Sequence, residues 1–366
     1  MTRTTPTRAL SEIRLLCTQG LAPQAVVPAA TAIVRRWIPN SWSSFLFVNE
    51  QLQPAAVYAD APEVAGLYQR YLDHYCNTQQ EGQVGIRLQD GMSSGPAVSN
   101  SAALGKRFLE SEYFNEVYVP MRIKWGLVAP VRTRGGGALM LFRAPADPGF
   151  SELEERGLAR VASYLRHSFE APSRPAETYA NDGEEGIVVM DRRARVLHWS
   201  SRASFLLHWV SAENGPLDVR APFNAPAVRQ LLQGLLRDLL DPQGPTPVRV
   251  VVNAWGRFTL RAYGLHPQES GHVGISVRLR SPVAAALLGH AEEWPLAPKH
   301  LEVCLCLLRG LTYREAARAM NLKVPTVIGY AREAFARLGV GNREELLRTL
   351  LSGGTRGVGD ITQTFQ

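Results

Sequence analysis

The chain has 366 residues, 45% of them hydrophobic and 20% charged, with a net charge of +7 and a pI of about 9.4. That length and balance are ordinary for a globular protein of two or three units, and the modest basic surplus favours an anionic partner without naming one. Four scattered cysteines (Cys17, Cys76, Cys304, Cys306) argue against a disulfide framework or a zinc site, and no signal-peptide run or uninterrupted apolar membrane span is present, so a cytoplasmic protein with no membrane association is expected.

The first block opens with amphipathic stretches that predict helices over 8–17 and 23–37, followed by a strand over 44–48. Residues 62–76 predict a helix with a tyrosine-rich face, and 109–119 a second helical stretch. Residues 126–132 and 138–143 alternate like paired strands, joined through Gly135-Gly136-Gly137. Ser151 with Glu154 three positions on makes a capping box for a long helix reaching about 170. Mixed strands with flanking helices imply an α+β unit. Its aromatic side chains include Trp42, Phe45, Tyr68, Tyr71, Tyr113 and Trp125, which are candidates for the wall of a small-molecule pocket, against the plainer alternative that each is a core residue.

Residues 171–185 are polar, contain two prolines and read as a linker. A second block over 186–283 then shows strand, tight turn at 191–194, strand, helices at 201–208 and 227–240, and three later strands at 248–252, 257–263 and 273–278. A weaker linker is expected over 284–293, and the tail from 352 reads as disordered.

The third block, 294–352, carries the most specific pattern. Pro298 opens a helix with Leu301, Cys304, Leu305 and Leu308 on one stripe, and Gly310 closes it. Thr312 and Glu315 form a capping box for a short helix, a turn follows at Asn321-Leu322-Lys323, and a third helix carries Val327, Ala331, Ala334 and Leu338 inward. Gly339 and Gly341 stop that helix, and Asn342 with Glu345 starts a last one. Short helix, tight turn and longer helix are the parts of a helix-turn-helix, whose second helix enters the major groove. The block holds nine basic against five acidic residues, a surplus of four, as phosphate attraction requires.

Those residues, from Leu296 through Gly310-Leu311-Thr312, Glu315-Ala316-Ala317 and Thr326-Val327 to Leu338-Gly339-Val340-Gly341-Asn342-Arg343-Glu344-Glu345-Leu346, resemble the LuxR-type helix-turn-helix over about 55 residues. The resemblance implies DNA contacts from Lys323, Thr326, Ile328, Gly329, Tyr330, Arg332 and Arg337, with bases read by Ile328, Gly329 and Arg332. It also implies structural roles for Glu302 and Arg343. The family usually has serine where Lys323 stands, a basic residue at Ile328 and often histidine at Tyr330; isoleucine can touch a thymine methyl but pairs with no base acceptor. Through Ser111-Glu112-Tyr113-Phe114-Asn115-Glu116 and Phe150-Ser151-Glu152 the first block resembles the GAF-like sensor half of longer LuxR-type regulators, and the strand order of the second block resembles a PAS domain.

The expected organisation is therefore multidomain. It comprises an α+β GAF-like sensor domain (1–170), a linker (171–185), an α+β PAS-like domain (186–283), an all-α four-helix LuxR-type helix-turn-helix domain (294–352) and a disordered tail (353–366). The expected function is a homodimeric transcription regulator that binds double-stranded DNA and answers to a small-molecule ligand or a partner. The alternative is a non-DNA-binding interaction or dimerisation protein that retains the helix-turn-helix fold. No enzyme chemistry is expected: the triple glycine lacks the lysine and hydroxyl of a phosphate loop, the eight histidines show no metal-binding spacing, and no nucleophile arrangement stands out, so no cofactor or metal is assigned.

Overall fold

Two antiparallel five-stranded sheets and a C-terminal helical region make up the chain, in a computed structural model that describes residues 4–85, 87–176, 178–181, 183–211, 221–241, 243–265 and 271–351. The expected disordered tail lies outside the described residues. Among those described, no helix is long and apolar enough to cross a membrane.

Helix α1 (Pro6–Cys17) starts where the Thr5 hydroxyl accepts the Arg8 N–H, with proline in its first turn, and α2 (Pro23–Trp37) also begins on a proline. Strands β1 (Trp42–Val48) and β2 (Pro54–Ala59) follow, then three short helices, α3 (Ala65–His74), α4 (Gln79–Val84) and α5 (Leu88–Ser93). Next come β3 (Ser99–Asn100), α6 (Gly105–Leu109), a π-helical turn at Phe114–Tyr118, β4 (Trp125–Val131), β5 (Gly137–Arg143) and α7 (Glu152–Glu170). The expected capping box at Ser151 and Glu154 is present. The sheet order is β2-β1-β5-β4-β3. Helices α1, α2 and α7 pack together, and α2 and α7 reach the sheet on one face while α5 lies against β4 and β5.

The second sheet is built from β6 (Glu184–Met190), β7 (Val196–Trp199), β8 (Val248–Asn253), β9 (Gly256–Gly264) and β10 (Val273–Arg280), with α8 (Ser201–Ser211) and α9 (Pro226–Leu240) between β7 and β8 in sequence. Its order is β7-β6-β10-β9-β8, so that each sheet, counted within its own unit, reads 2-1-5-4-3. The strand periodicity explains the layering: Val188, Met190, Ile275, Val277, Phe258 and Leu260 alternate inward, while Ile187, Val250, Val252 and Tyr263 stand exposed.

The helical region comprises α10 (Val283–Gly289), α11 (Pro298–Leu308), α12 (Tyr313–Ala319), α13 (Val324–Leu338) and α14 (Arg343–Leu351). Two sequence expectations are corrected here. Residues 284–293 are not a linker: Val283, Ala285, Leu287 and Leu288 are buried, and α10 lies along α1 and α2, its Gly289 passing close to Ala29. The apolar run was long enough for two turns of helix but too short to show a period. Residues 109–119 are not one helix either, because the chain breaks after Leu109 and restarts as the π turn.

The units are closely joined. Trp209 of α8 donates its indole N–H to the Val57 carbonyl of β2 (2.7 Å), stacks on Trp255 (centroids 4.5 Å apart), and Trp255 meets Phe47 of β1 edge-on. At the other junction Glu12, only 1% exposed, accepts from Arg8 and from Arg36, both at 2.8 Å. Arg36 also pairs with Glu292 and donates to the Leu288 carbonyl (3.4 Å), while Arg8 reaches the Leu296 carbonyl (3.2 Å) just before α11.

Removing the buried acid should leave Arg36, 11% exposed, with only the part-exposed Glu292 as counter-charge. Glu12→Ala is expected to lower unfolding free energy by about 3–5 kcal/mol in urea titration, and a loss under about 1 kcal/mol would show that water reaches the cluster freely.

Candidate nucleic-acid interface and sensor cavity

The inward stripe of α13 is buried as its spacing requires: Val327, Ala331 and Ala334 are at most 1% exposed, against α11 and α12. Helix α12 begins with the Thr312–Glu315 capping box, which holds the Glu315 carboxyl below its usual range through the Thr312 backbone and hydroxyl donors. Gly339 ends α13 in the left-handed region (φ +65°), where a side chain would be strained, and Val340 N–H closes the turn on the Phe335 carbonyl (3.0 Å).

The residues expected to face DNA divide into two groups. Lys323, Thr326 and Arg332 are exposed; Ile328 and Gly329 are half-buried by their neighbours. Among the described residues, Lys323 and Arg332 form no salt bridge, and nor do Arg314 and Arg318 on α12. A Cβ placed on Gly329 would meet nothing within 4 Å, so no contact inside the chain requires a glycine there. Tyr330 and Arg337, on the flank of the helix, are engaged elsewhere. Tyr330 packs edge-on against His300 (centroids 5.6 Å), and Arg337 donates to the Pro295 carbonyl (3.2 Å). His300 Nδ1 accepts the Ala297 N–H (3.2 Å), which places its proton on Nε2 for donation to Glu333 (2.9 Å). This flank therefore fixes α13 to the start of α11. Leu346 and Leu350 of the last helix, α14, also pack inward.

In the first unit, the side of the sheet nearest α5 and the π turn borders a cavity of about 130 Å³. Trp42, Tyr68, Tyr71 and Tyr113 line it, as the sequence suggested. Phe45 and Trp125 do not. Successive strand residues point to opposite faces. Phe45, three positions from Trp42, lies across the sheet with Phe47 and Phe169 of α7, while Trp125 neighbours the lining residue Gly126 and turns its N–H to the Asp147 carbonyl (2.8 Å). Alternation along β1 and β4 alone would have separated these two from the rest.

Sequence reasoning missed Glu81 and Phe108, which line the cavity together with Tyr118. Tyr118 enters because the π turn, with Val119 N–H bonded to the Phe114 carbonyl (3.0 Å), brings residues five apart onto one side. Gly126 leaves room for it, since a Cβ there would lie 2.8 Å from the Tyr118 hydroxyl oxygen. Glu81 sits on a helix too short to show a face. Its Oε1 accepts the Tyr71 hydroxyl (2.7 Å), and its Oε2 accepts the N–H groups of Asn77 (2.7 Å) and Leu88 (3.3 Å). Burial pushes the Glu81 carboxyl up, opposed by those three donors.

Cys17, Cys76 and Cys304 have their thiols pushed up to about 12 by burial, so they are poor nucleophiles, and Cys304 and Cys306 belong to the core of α11. Of the exposed grouping His290, Glu292 and Glu293, Glu292 is already paired with Arg36.

Comparison with known proteins adds no relative: no family model matches the chain, and no curated protein is significantly similar to it.

With open space above Gly329, alanine should fit without strain and extend the helical preference of α13. Gly329→Ala is expected to stabilise the protein by about 0.5–1 kcal/mol, read as a higher urea midpoint with an unchanged slope, whereas destabilisation would reveal a contact at that position.

Proposed function

We propose that the chain is a DNA-binding transcription regulator, with α12 and α13 as a helix-turn-helix of the LuxR type, the first unit as a GAF-like sensor and the second as a PAS-like unit. The observation that carries this reading is the division of α13 into two sides. Val327, Ala331 and Ala334 of its apolar stripe are fully buried against α11 and α12 and Leu338 is half-buried, while Pro325, Thr326, Arg332 and Ala336 are left exposed. The cations Arg314, Arg318, Lys323 and Arg332 on and beside that surface, which form no salt bridge among the described residues, suit phosphate oxygens. The bare backbone at Gly329 suits close approach to a groove wall.

Tyr330 and Arg337 are reassigned in this reading to holding α13 in place, which leaves Arg332 as the residue of α13 best suited to a bidentate contact with guanine. The shared 2-1-5-4-3 sheet order is consistent with two sensor units of related construction. Ligand binding in the first unit would bias the packing of α1 and α2 and, through Arg8 and Arg36, the segment that leads into α11. A homodimer follows from the paired half-sites such regulators read. The second reading, an interaction module without DNA binding, is favoured by Ile328, which supplies no polar group to a base or a phosphate.

Titration against a pool of random-sequence duplexes separates the two. Affinity should fall roughly a hundredfold between about 50 and 200 mM salt, as for about four neutralised phosphates. Absence of salt-dependent binding would remove the DNA reading. On a duplex selected from the pool, Arg332→Ala should cost about 1–3 kcal/mol, and an equal loss on unselected duplexes would reduce Arg332 to a phosphate contact.

A further inference from the structure

The cavity in the first unit combines three features that together specify a ligand. The first is size: about 130 Å³ is slightly less than the roughly 150 Å³ of an apolar protein cavity that holds benzene. That volume matches a ligand of about one small ring.

The second feature is the wall. Trp42, Tyr68, Tyr71, Phe108, Tyr113 and Tyr118 all border the space, and aromatic faces carry negative potential that attracts cations as well as apolar groups.

The third is Glu81, 6% exposed and on the same wall. Among the described residues it forms no salt bridge. Arg87, also on the wall, is held instead by Asp90 (Nε to Oδ2, 2.6 Å). Glu81 accepts three hydrogen bonds, one at Oε1 and two at Oε2. A carboxylate offers about four acceptor sites, so one remains, at Oε1 beside the Tyr71 hydroxyl. A buried carboxylate without a counter-charge is costly, and a ligand that brings the missing cation removes that cost.

We propose that this cavity binds a small organic ammonium ion, its N–H donated to Glu81 Oε1 and its apolar body held among the aromatic rings. Tyr113 borders both the cavity and a surface recess lined by Gln80, Gln83, Arg107 and Glu112. Burial, which favours the neutral carboxyl in the empty site, is offset once the cation is present.

The proposal deepens the reading of the first unit as a sensor and does not depend on what the C-terminal helices bind. Its test is therefore made without DNA. Calorimetric titration of the full chain with benzylammonium, isosteric benzyl alcohol and benzoate should rank the ammonium at least about tenfold tighter than the alcohol, with benzoate not bound. Glu81→Gln should abolish the gap between ammonium and alcohol. If that variant fails to fold, the ranking on the wild-type protein decides alone. Equal or tighter binding of the alcohol, binding of benzoate, or no binding of any of the three would overturn the proposal. Ammonium binding that leaves a separately measured DNA affinity unchanged would uphold the site and count against the regulator reading.

Discussion

One buried carboxylate positions the two arginines through which α1 and α2 hold the approach to the C-terminal helices. Glu12 lies in the interior between two arginines, and those arginines extend to Glu292 and to the backbone at Leu288 and Leu296. A buried ion pair adds little net stability compared with apolar packing, but it penalises every arrangement that leaves a partner alone. What holds α10 and the approach to α11 on the α1–α2 surface are the further bonds of the same arginines, Arg36 to Glu292 and the Leu288 carbonyl and Arg8 to the Leu296 carbonyl. The same contacts connect the first unit to the segment before α11, since a shift of α1 against α2 disturbs the charges that hold that segment.

At the opposite end, aromatic packing has the same effect without charge. Trp209 and Trp255 stack, and with Phe47, Tyr58 and the Val57 carbonyl they tie the second unit to the β1–β2 edge. The two sheets are therefore coupled through the strand that also supplies Trp42 to the cavity. A ligand that displaces Trp42 acts on β1, and β1 carries Phe47 on its other face. The chain has one continuous route from cavity to second unit and another, through α1 and α2, to α11.

The elements most legible in the sequence were those with strong local chemistry. Capping boxes at Ser151 and Thr312, the glycine after Leu338 and the apolar periodicity of α2 and α13 placed helices to within a residue or two. The short α4 and α5, the strand β2 and the helix α10 escaped because six or seven residues show no reliable period, and their placement follows from tertiary contacts. The cavity was half legible. Clustering of aromatic residues pointed to it, but Phe45 and Trp125 were assigned without the strand alternation that turns them away, and Glu81 gave no local signal. On α13, the core side could be read from spacing alone. The engagement of Tyr330 with His300 and of Arg337 with Pro295 could not, because both depend on where α11 begins relative to α13.

The account stands or falls on the outer side of α13 being the surface that meets a duplex. Amide hydrogen exchange of the full chain, with and without a saturating duplex at low salt, addresses that side directly. Slowed exchange confined to peptides covering α12, the turn at Asn321-Leu322-Lys323 and the first half of α13 is the predicted result. Protection elsewhere with α13 unchanged, or no protection at all, would contradict it.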